Sequence, residues 1–161
     1  MLQMQIRTNI QPGDIGCVIR LHGILYAQEF GLDHTFEGYV AAALGEFAIR
    51  YDQRKDYFAL AEEEGRIVGS IAIVRLADQT AQLRWFLVHP DARGCGLGRR
   101  LLQGALEFCR DRGFRSAFRW TISGLEAAFH LYQEAGFRLT EQKTHKIWGG
   151  MRTEERYDLA L

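Results

Sequence analysis

The sequence predicts an α/β (α+β) protein, a mixed central sheet of about seven strands with helices on both faces. Three observations carry this. The apolar period switches repeatedly between about two and about 3.6 residues, and turn signals built on glycine, proline and aspartate sit at the switches. The resulting order is β-α-α-β-β-β-α-β-α-β-β, which buries its apolar faces most economically as helices packed on both sides of one sheet. No linker, internal repeat or low-complexity run interrupts it, so residues 1–161 are expected to form a single domain.

Met4 to Thr8 alternates apolar and polar residues and reads as a short strand. Pro12-Gly13-Asp14 turns into a helix that carries Ile15, Val18, Ile19, His22 and Tyr26 at helical spacing and stops at Gly31. Asp33 or Thr35 can cap a second helix, with Phe36, Val40, Ala43, Leu44 and Phe47 on one face. The period then shortens. Tyr57 to Ala61 and Ile67 to Arg75 are strands joined by a hairpin at Glu63-Glu64-Gly65-Arg66, and Ala81 to Val88 is a third strand after a turn at Asp78-Gln79. A helix follows the glycine-rich segment 91–98, with Leu97, Leu101, Ala105 and Phe108 in one row and Leu102, Leu106 and Cys109 in the next; Gly113 ends it. Ser116 to Thr121 is a strand and Leu125 to Ala135 a helix closed by Gly136. Phe137–Ile147 and Met151–Leu161 are two strands joined by a Gly149-Gly150 turn.

Composition excludes several classes. Twenty basic and twenty acidic side chains give zero net charge, which argues against nucleic acid or an anionic membrane as a partner. Cys17, Cys95 and Cys109 are odd in number and lack metal-ligand spacing, so no metal is expected and a reducing, cytoplasmic setting fits. The first residues carry no apolar run of signal-peptide length, and no segment approaches membrane-spanning length.

The informative segment is Val88-His89-Pro90-Asp91-Ala92-Arg93-Gly94-Cys95-Gly96-Leu97-Gly98-Arg99-Arg100, a strand end, a glycine-rich loop and a helix start. The first amides of a helix have no intrahelical acceptor and lie at the positive end of the helix dipole. Glycines at 94, 96 and 98 let the backbone approach a bulky anion, and Arg93 or Arg99 can add charged contacts. The plain alternative is a flexible surface turn. A P-loop is excluded because Gly98 is followed by Arg99-Arg100, and a dinucleotide loop because its third glycine would fall on Arg99.

Taken with Leu131-Tyr132-Gln133-Glu134-Ala135-Gly136-Phe137, the segment Arg93-Gly94-Cys95-Gly96-Leu97-Gly98 resembles the GNAT superfamily of acetyltransferases, and the resemblance covers nearly the whole chain. Gln11 to Gly16 and Leu21 to Gly31 are similar to the acetyltransferase half of bacterial MarR-type regulator fusions. With the first strand at the start of the sequence, no DNA-binding half is expected, and DNA binding is not carried over. The resemblance implies a mostly antiparallel sheet in which strands 81–88 and 116–121 are parallel neighbours that splay, with the pantetheine arm of acetyl-CoA between them. It also implies a bulge near Phe86 and Leu87. Arg93, Gly94, Cys95, Gly96, Leu97, Gly98 and Arg99 would then hold the coenzyme, and amides of Leu87 or Val88 its thioester carbonyl. Many relatives have an asparagine just after the second of these strands, where this chain has Ile122 and Ser123; Ser123 is the candidate substitute.

Aminolysis of a thioester needs a neutral amine, a polarised carbonyl and a proton for the departing thiolate. An amine of pKa about 10.4 is neutral in roughly one molecule in 10³ at pH 7. Tyr132 is the candidate general acid; the alternative is a core tyrosine, because Gly136-Phe137 is by itself a helix C-cap. His22, Glu29 and His34 are the candidate bases, against a core role for His22 and solvated or capping roles for the other two. Arg84 cannot be a base. Cys95 needs no chemical role, since the family transfers directly within a ternary complex. Trp85, Phe86, Trp120 and Trp148 are expected in core and pocket walls. Two functions follow: transfer of acetyl from coenzyme A to an amine, or non-catalytic sensing of acyl-CoA. Pairing of two chains through the C-terminal strands would make a homodimer.

Overall fold

Period-two segments form strands and 3.6-period segments form helices throughout residues 3–161, which this computed structural model describes. The elements are β1 (Met4–Arg7), α1 (Asp14–Phe30), α2 (His34–Arg50), β2 (Tyr57–Glu63), β3 (Arg66–Arg75), β4 (Thr80–Val88), α3 (Leu97–Asp111), β5 (Ser116–Ile122), α4 (Glu126–Glu134), β6 (Arg138–Ile147) and β7 (Gly150–Ala160). The seven strands form one sheet in the order β1-β2-β3-β4-β5-β7-β6. Every neighbouring pair is antiparallel except β4 and β5.

Both faces of the sheet are covered, and strand alternation shows how. In β2, Ala59 and Ala61 face a core that includes Leu101, Leu102, Leu106 and Cys109 of α3, while Phe58 and Leu60 face a second core with Val18 of α1 and Leu44 and Phe47 of α2. At about 1.5–3 kcal/mol for each fully buried large apolar side chain, these two layers supply most of the drive to fold. Arg7 pins α1 to the sheet: its guanidinium donates to both oxygens of Asp14, at 2.7 and 2.9 Å, and to Glu62 at 2.8 Å. Asp33, rather than Thr35, caps α2 by accepting from the Thr35 amide at 3.0 Å.

Two local features depart from the sequence expectation. The last hairpin turns at Trp148 (φ 53°) and Gly149 (φ 91°), one residue earlier than Gly149-Gly150. Such two-residue turns require positive φ at both positions. Trp148 is held there by tertiary contacts, its ring lying 5.1 Å from Phe36 and 5.4 Å from Tyr39 and its carbonyl accepting from the Asp33 amide at 3.1 Å. The bulge in β4 lies at Trp85 and Phe86, which together oppose Ile71, so it sits one residue earlier than expected. Trp85 adopts φ 49°, and its carbonyl accepts a 2.6 Å hydrogen bond from the fully buried Ser70 hydroxyl.

β4 and β5 are paired only over Thr80–Gln82 and Ser116–Phe118. Beyond that they part. β5 remains paired to β7 on its other edge through Ile122, so the facing edges of β4 and β5 are both open beyond the splay, and the functional geometry starts there.

Candidate active site

The loop before α3 is shaped by backbone conformation. Gly94 (φ 81°) and Gly96 (φ 82°) are both left-handed, and a Cβ added at either would touch nothing within 4 Å. The space in front of them is therefore open, and their need for glycine is conformational. Gly96 is the N-cap of α3 and offers no side-chain acceptor, and the first turn contains no acidic residue. The amides at the mouth of α3 thus lack both an intrahelical and a side-chain partner. Gly98 faces packed surroundings instead: a Cβ there would lie in ordinary contact with Leu131, at 3.4 Å, and Val88, at 3.7 Å.

These amides open onto a cleft of about 620 Å³, within the range of small-molecule sites. Its walls include Leu87 and Val88 from the open end of β4, Arg93, Gly94, Gly96, Leu97, Gly98 and Arg99 from the loop and α3, and Tyr132 from α4. The His89 amide donates across to Val68 of β3 at 2.7 Å, so strand alternation turns the Val88 amide toward the unpaired edge facing β5 and the Leu87 amide away from it.

Tyr132 is placed by the end of its own helix. The Phe137 amide donates to the Tyr132 carbonyl and the Gly136 amide to Gln133, both at 3.0 Å, a Schellman closure that requires Gly136 at φ 97°. The Leu-Tyr-x-x-x-Gly-Phe signature is thus structural in all but the phenol. The ring is fully buried among Phe86, Phe137 and Tyr157, and its hydroxyl has no hydrogen-bond partner among the described residues. Burial pushes the phenol well above its ordinary pKa, with partial relief from the Arg119 cation 5.2 Å from the ring centroid. The group stays protonated and poised to donate.

Two of the residues expected to hold the coenzyme lie outside this cleft. The Cys95 thiol donates to the Ala92 carbonyl at 3.2 Å and bends the loop on itself. Ser123, whose amide donates to Thr153 at 2.9 Å, lines a neighbouring depression that shares Tyr132 as a wall. The two arginines of the loop are engaged: Arg93 binds Glu29 through both nitrogens at 2.5 and 3.0 Å and donates to the Val88 carbonyl at 3.1 Å, and Arg99 pairs with Glu134 at 2.6 Å. Glu29, a candidate base from the sequence, is therefore the counter-charge of Arg93. His34 is exposed at the start of α2. His22 is buried, gives its Nδ1 proton to the Val18 carbonyl at 2.8 Å and stacks on Tyr26, and burial lowers its pKa to about 4. It is neutral at physiological pH.

On the far side of the splay lies a second cavity, of about 90 Å³, bordered by His22, Arg84, Trp85, Trp120 and Trp148. Arg119 of β5, Phe86 and Tyr26 border both spaces. Arg119 was missed from the sequence, where its signal is a lone arginine inside the apolar strand Ser-Ala-Phe-Arg-Trp-Thr. Among the described residues no group of three or more His, Cys, Asp or Glu side chains is gathered as a metal site, and no helix is long and apolar enough to cross a membrane.

A mixed sheet whose central parallel pair opens over a glycine-rich helix mouth defines an acyl-coenzyme A binding fold, and comparison with known proteins agrees. The sequence pattern of the acetyltransferase (GNAT) family matches residues 24–137, and the chain belongs to that family. It is 31% identical over 96 residues to human N-acetyltransferase 8B, covering 56% of this chain and 42% of that one. It is 29% identical over 122 residues to an uncharacterized N-acetyltransferase of Schizosaccharomyces pombe, covering 74% of each. The Salmonella typhimurium protein yncA, solved with its cofactor acetyl-CoA, superposes with a TM-score of 0.75 at 20% identity over 99% of this chain and 94% of that one. Several curated relatives are more than twice as long as the segment they share with this chain.

Proposed function

We propose that this chain, acting as a single domain, is an acetyl-CoA-dependent N-acetyltransferase that moves the acetyl group directly to an amine within a ternary complex. The observation that carries the proposal is the convergence on one cleft of three unsatisfied donors: the amides at the mouth of α3, the open β4 edge at Val88, and the Tyr132 hydroxyl. The residues present fit acetyl-CoA. The α3 amides with Gly94, Gly96 and Gly98 would take the diphosphate, and Leu87 and Val88 would flank the arm along the unpaired edge, whose amides in a sheet would otherwise be bonded to a neighbouring strand.

The Val88 amide polarises the thioester carbonyl, a contact of the kind worth about 3–4 kcal/mol in the transition state. The amine nitrogen attacks the carbonyl carbon, the C–N bond forms, the C–S bond breaks, and the nitrogen loses its proton to water. Tyr132 supplies a proton to the leaving sulfur and recovers one from solvent. Arg93 joins the diphosphate by exchanging Glu29 for it. Cys95 shapes the loop, and Ser123, in the neighbouring depression that shares Tyr132, is the candidate side-chain contact for the coenzyme arm.

Calorimetry with acetyl-CoA and coenzyme A release with a panel of amines test the proposal; the absence of heat for any coenzyme A species refutes it. The second reading, a non-catalytic acyl-CoA sensor, is favoured by one observation: the histidine that borders the splay, His22, has a pKa of about 4 and is a weak base. Binding without turnover on any amine would select that reading. Three free thiols support a cytoplasmic location. The similarity of the front half to MarR-type fusion acetyltransferases belongs to this proposal as well, and rests on the α1 sequence. A homodimer would use the open outer edge of β6, which sedimentation velocity tests; no nucleic acid or membrane partner is proposed.

A further inference from the structure

Arg119 is the least satisfied charge in the described molecule. Its side chain is 6% exposed, Nε and Nη1 have no hydrogen-bond partner, and no carboxylate among the described residues pairs with it. The guanidinium instead lies 5.2 Å from the centroids of both Phe86 and Tyr132. Aromatic faces recover part of the lost hydration of a cation, and donate no lone pair to its N–H groups. Arginine cannot escape by losing its proton. A buried guanidinium kept in this state destabilises the free protein, and such a residue makes sense where an anion arrives from outside.

The second cavity says which anion. It carries two guanidinium groups, Arg119 and Arg84, the latter bonded only to the Tyr39 hydroxyl at 3.0 Å. Its one carboxylate, Glu154, is already held by His145 at 2.5 Å and Lys143 at 3.8 Å. The cavity is thus electropositive, walled by tryptophans, and set across the splay from the glycine loop, where an acceptor would approach the thioester. Its volume of about 90 Å³, well below that of drug-sized ligand sites, suits a small acceptor.

We infer that the acceptor is a small amine that also bears a carboxylate, of the α-amino acid type, and that Arg119 binds that carboxylate and so sets the amine beside the thioester. The inference rests on the transfer reading above and narrows it to a substrate class. Arg119 is a specificity-determining residue here. Bidentate N–H···O pairing from Nε and one Nη would satisfy the two nitrogens that now lack partners.

Coenzyme A release from acetyl-CoA with alanine against alaninamide, matched in size and differing in the carboxylate, tests it. The wild-type protein is expected to prefer alanine in kcat/KM by about 30-fold or more. The amide has the less basic, more available amine at neutral pH, so this order runs against intrinsic reactivity. Arg119→Met should bring the ratio to about unity, and Arg119→Lys should restore part of it. Independently of turnover, N-acetylalanine should raise the Tm of the wild type and leave that of Arg119→Met unmoved. Equal turnover of acid and amide overturns this inference and leaves the transferase reading standing. So does an equal loss of activity toward both in Arg119→Met, which would place Arg119 at the thioester or at Tyr132. Faster turnover with succinyl-CoA than with acetyl-CoA would give Arg119 to the acyl group and overturn it too. No turnover with any amine, with acetyl-CoA bound, defeats both readings together.

Discussion

Tyr132→Phe separates a catalytic phenol from a packing phenol, because the two predict opposite signs of stability change. The hydroxyl is fully buried and bonds to nothing among the described residues, so the native state carries its desolvation without return. A buried group left without a partner costs about 1–3 kcal/mol, and deleting it leaves the ring contacts with Phe86, Phe137 and Tyr157 in place. In a chain of this length about 1 kcal/mol corresponds to about 2–4 °C, so the phenylalanine variant should melt about 2–12 °C higher. If the hydroxyl protonates the departing thiolate, the same variant should lose about 10²-fold in kcat, equivalent to about 2.7 kcal/mol of barrier, with the Kd for acetyl-CoA within about threefold. Differential scanning fluorimetry and a thiol-release assay read the two quantities from one preparation. A lower Tm would mean that the hydroxyl holds the fold together. An unchanged kcat would remove the acid assignment.

Other perturbations follow from the same geometry. Gly96→Ala puts a side chain at φ 82° in open space, so it should destabilise by about 1–2 kcal/mol through backbone strain alone and weaken acetyl-CoA binding about tenfold by turning the α3 mouth; calorimetry showing normal affinity would disprove the cradle. Glu29→Gln removes the counter-charge of Arg93 from the cleft, and the Kd for acetyl-CoA should fall about three- to tenfold, an effect that fades in high salt. Ser70→Ala strips the donor from the Trp85 carbonyl at the bulge and should cost about 1–3 kcal/mol in urea unfolding, together with a loss of kcat as the β4 edge relaxes. His22 has its pKa lowered by burial, and also by Arg119, to about 4, so unfolding takes up a proton below the ordinary value of 6.5. Its contribution is complete above pH 6.5 and is lost as pH falls toward 4, by about 3 kcal/mol; His22→Gln should flatten that part of the stability curve, and an unchanged slope would refute the assignment.

The parts of the site that the sequence made legible are those whose constraints are local. Gly94 and Gly96 are glycine because the chain turns left-handed there, and Gly136 because a Schellman closure does, so motif, conformation and position agree. The element order also came through intact, since each change of period marks a change of surroundings. What stayed hidden is set by contacts distant in sequence. Arg93 meets Glu29 across 64 residues, which no local pattern announces. The final hairpin turns at Trp148 because α2 offers Phe36, Tyr39 and the Asp33 amide, which outweigh the preference of the two glycines that follow. Arg119 is invisible as a site residue because only its tertiary setting, on a strand flanked by β4 and β7 at the splay, shows it buried and without a counter-charge.

Two buried side chains carry polar atoms without partners, the Tyr132 hydroxyl and the Arg119 guanidinium, and the guanidinium lies 5.2 Å from the Tyr132 ring centroid, beside the place where β4 and β5 cease to pair. A fold optimised for stability alone would satisfy or delete both, and their coincidence with the parting of β4 and β5 argues for a common cause. Stored instability of this kind is released when something enters the gap and supplies what each group lacks, an acceptor lone pair for the phenol and an anion for the cation. The two variants should therefore each raise Tm, and their combination should exceed the sum: each single variant also gives up favourable contact between the cation and the tyrosine, a loss the double variant incurs only once, so the groups are coupled through their contact. Strict additivity would mean that the two deficits are independent accidents of packing, and the case for a single ligand-completed site would lose its strongest physical support.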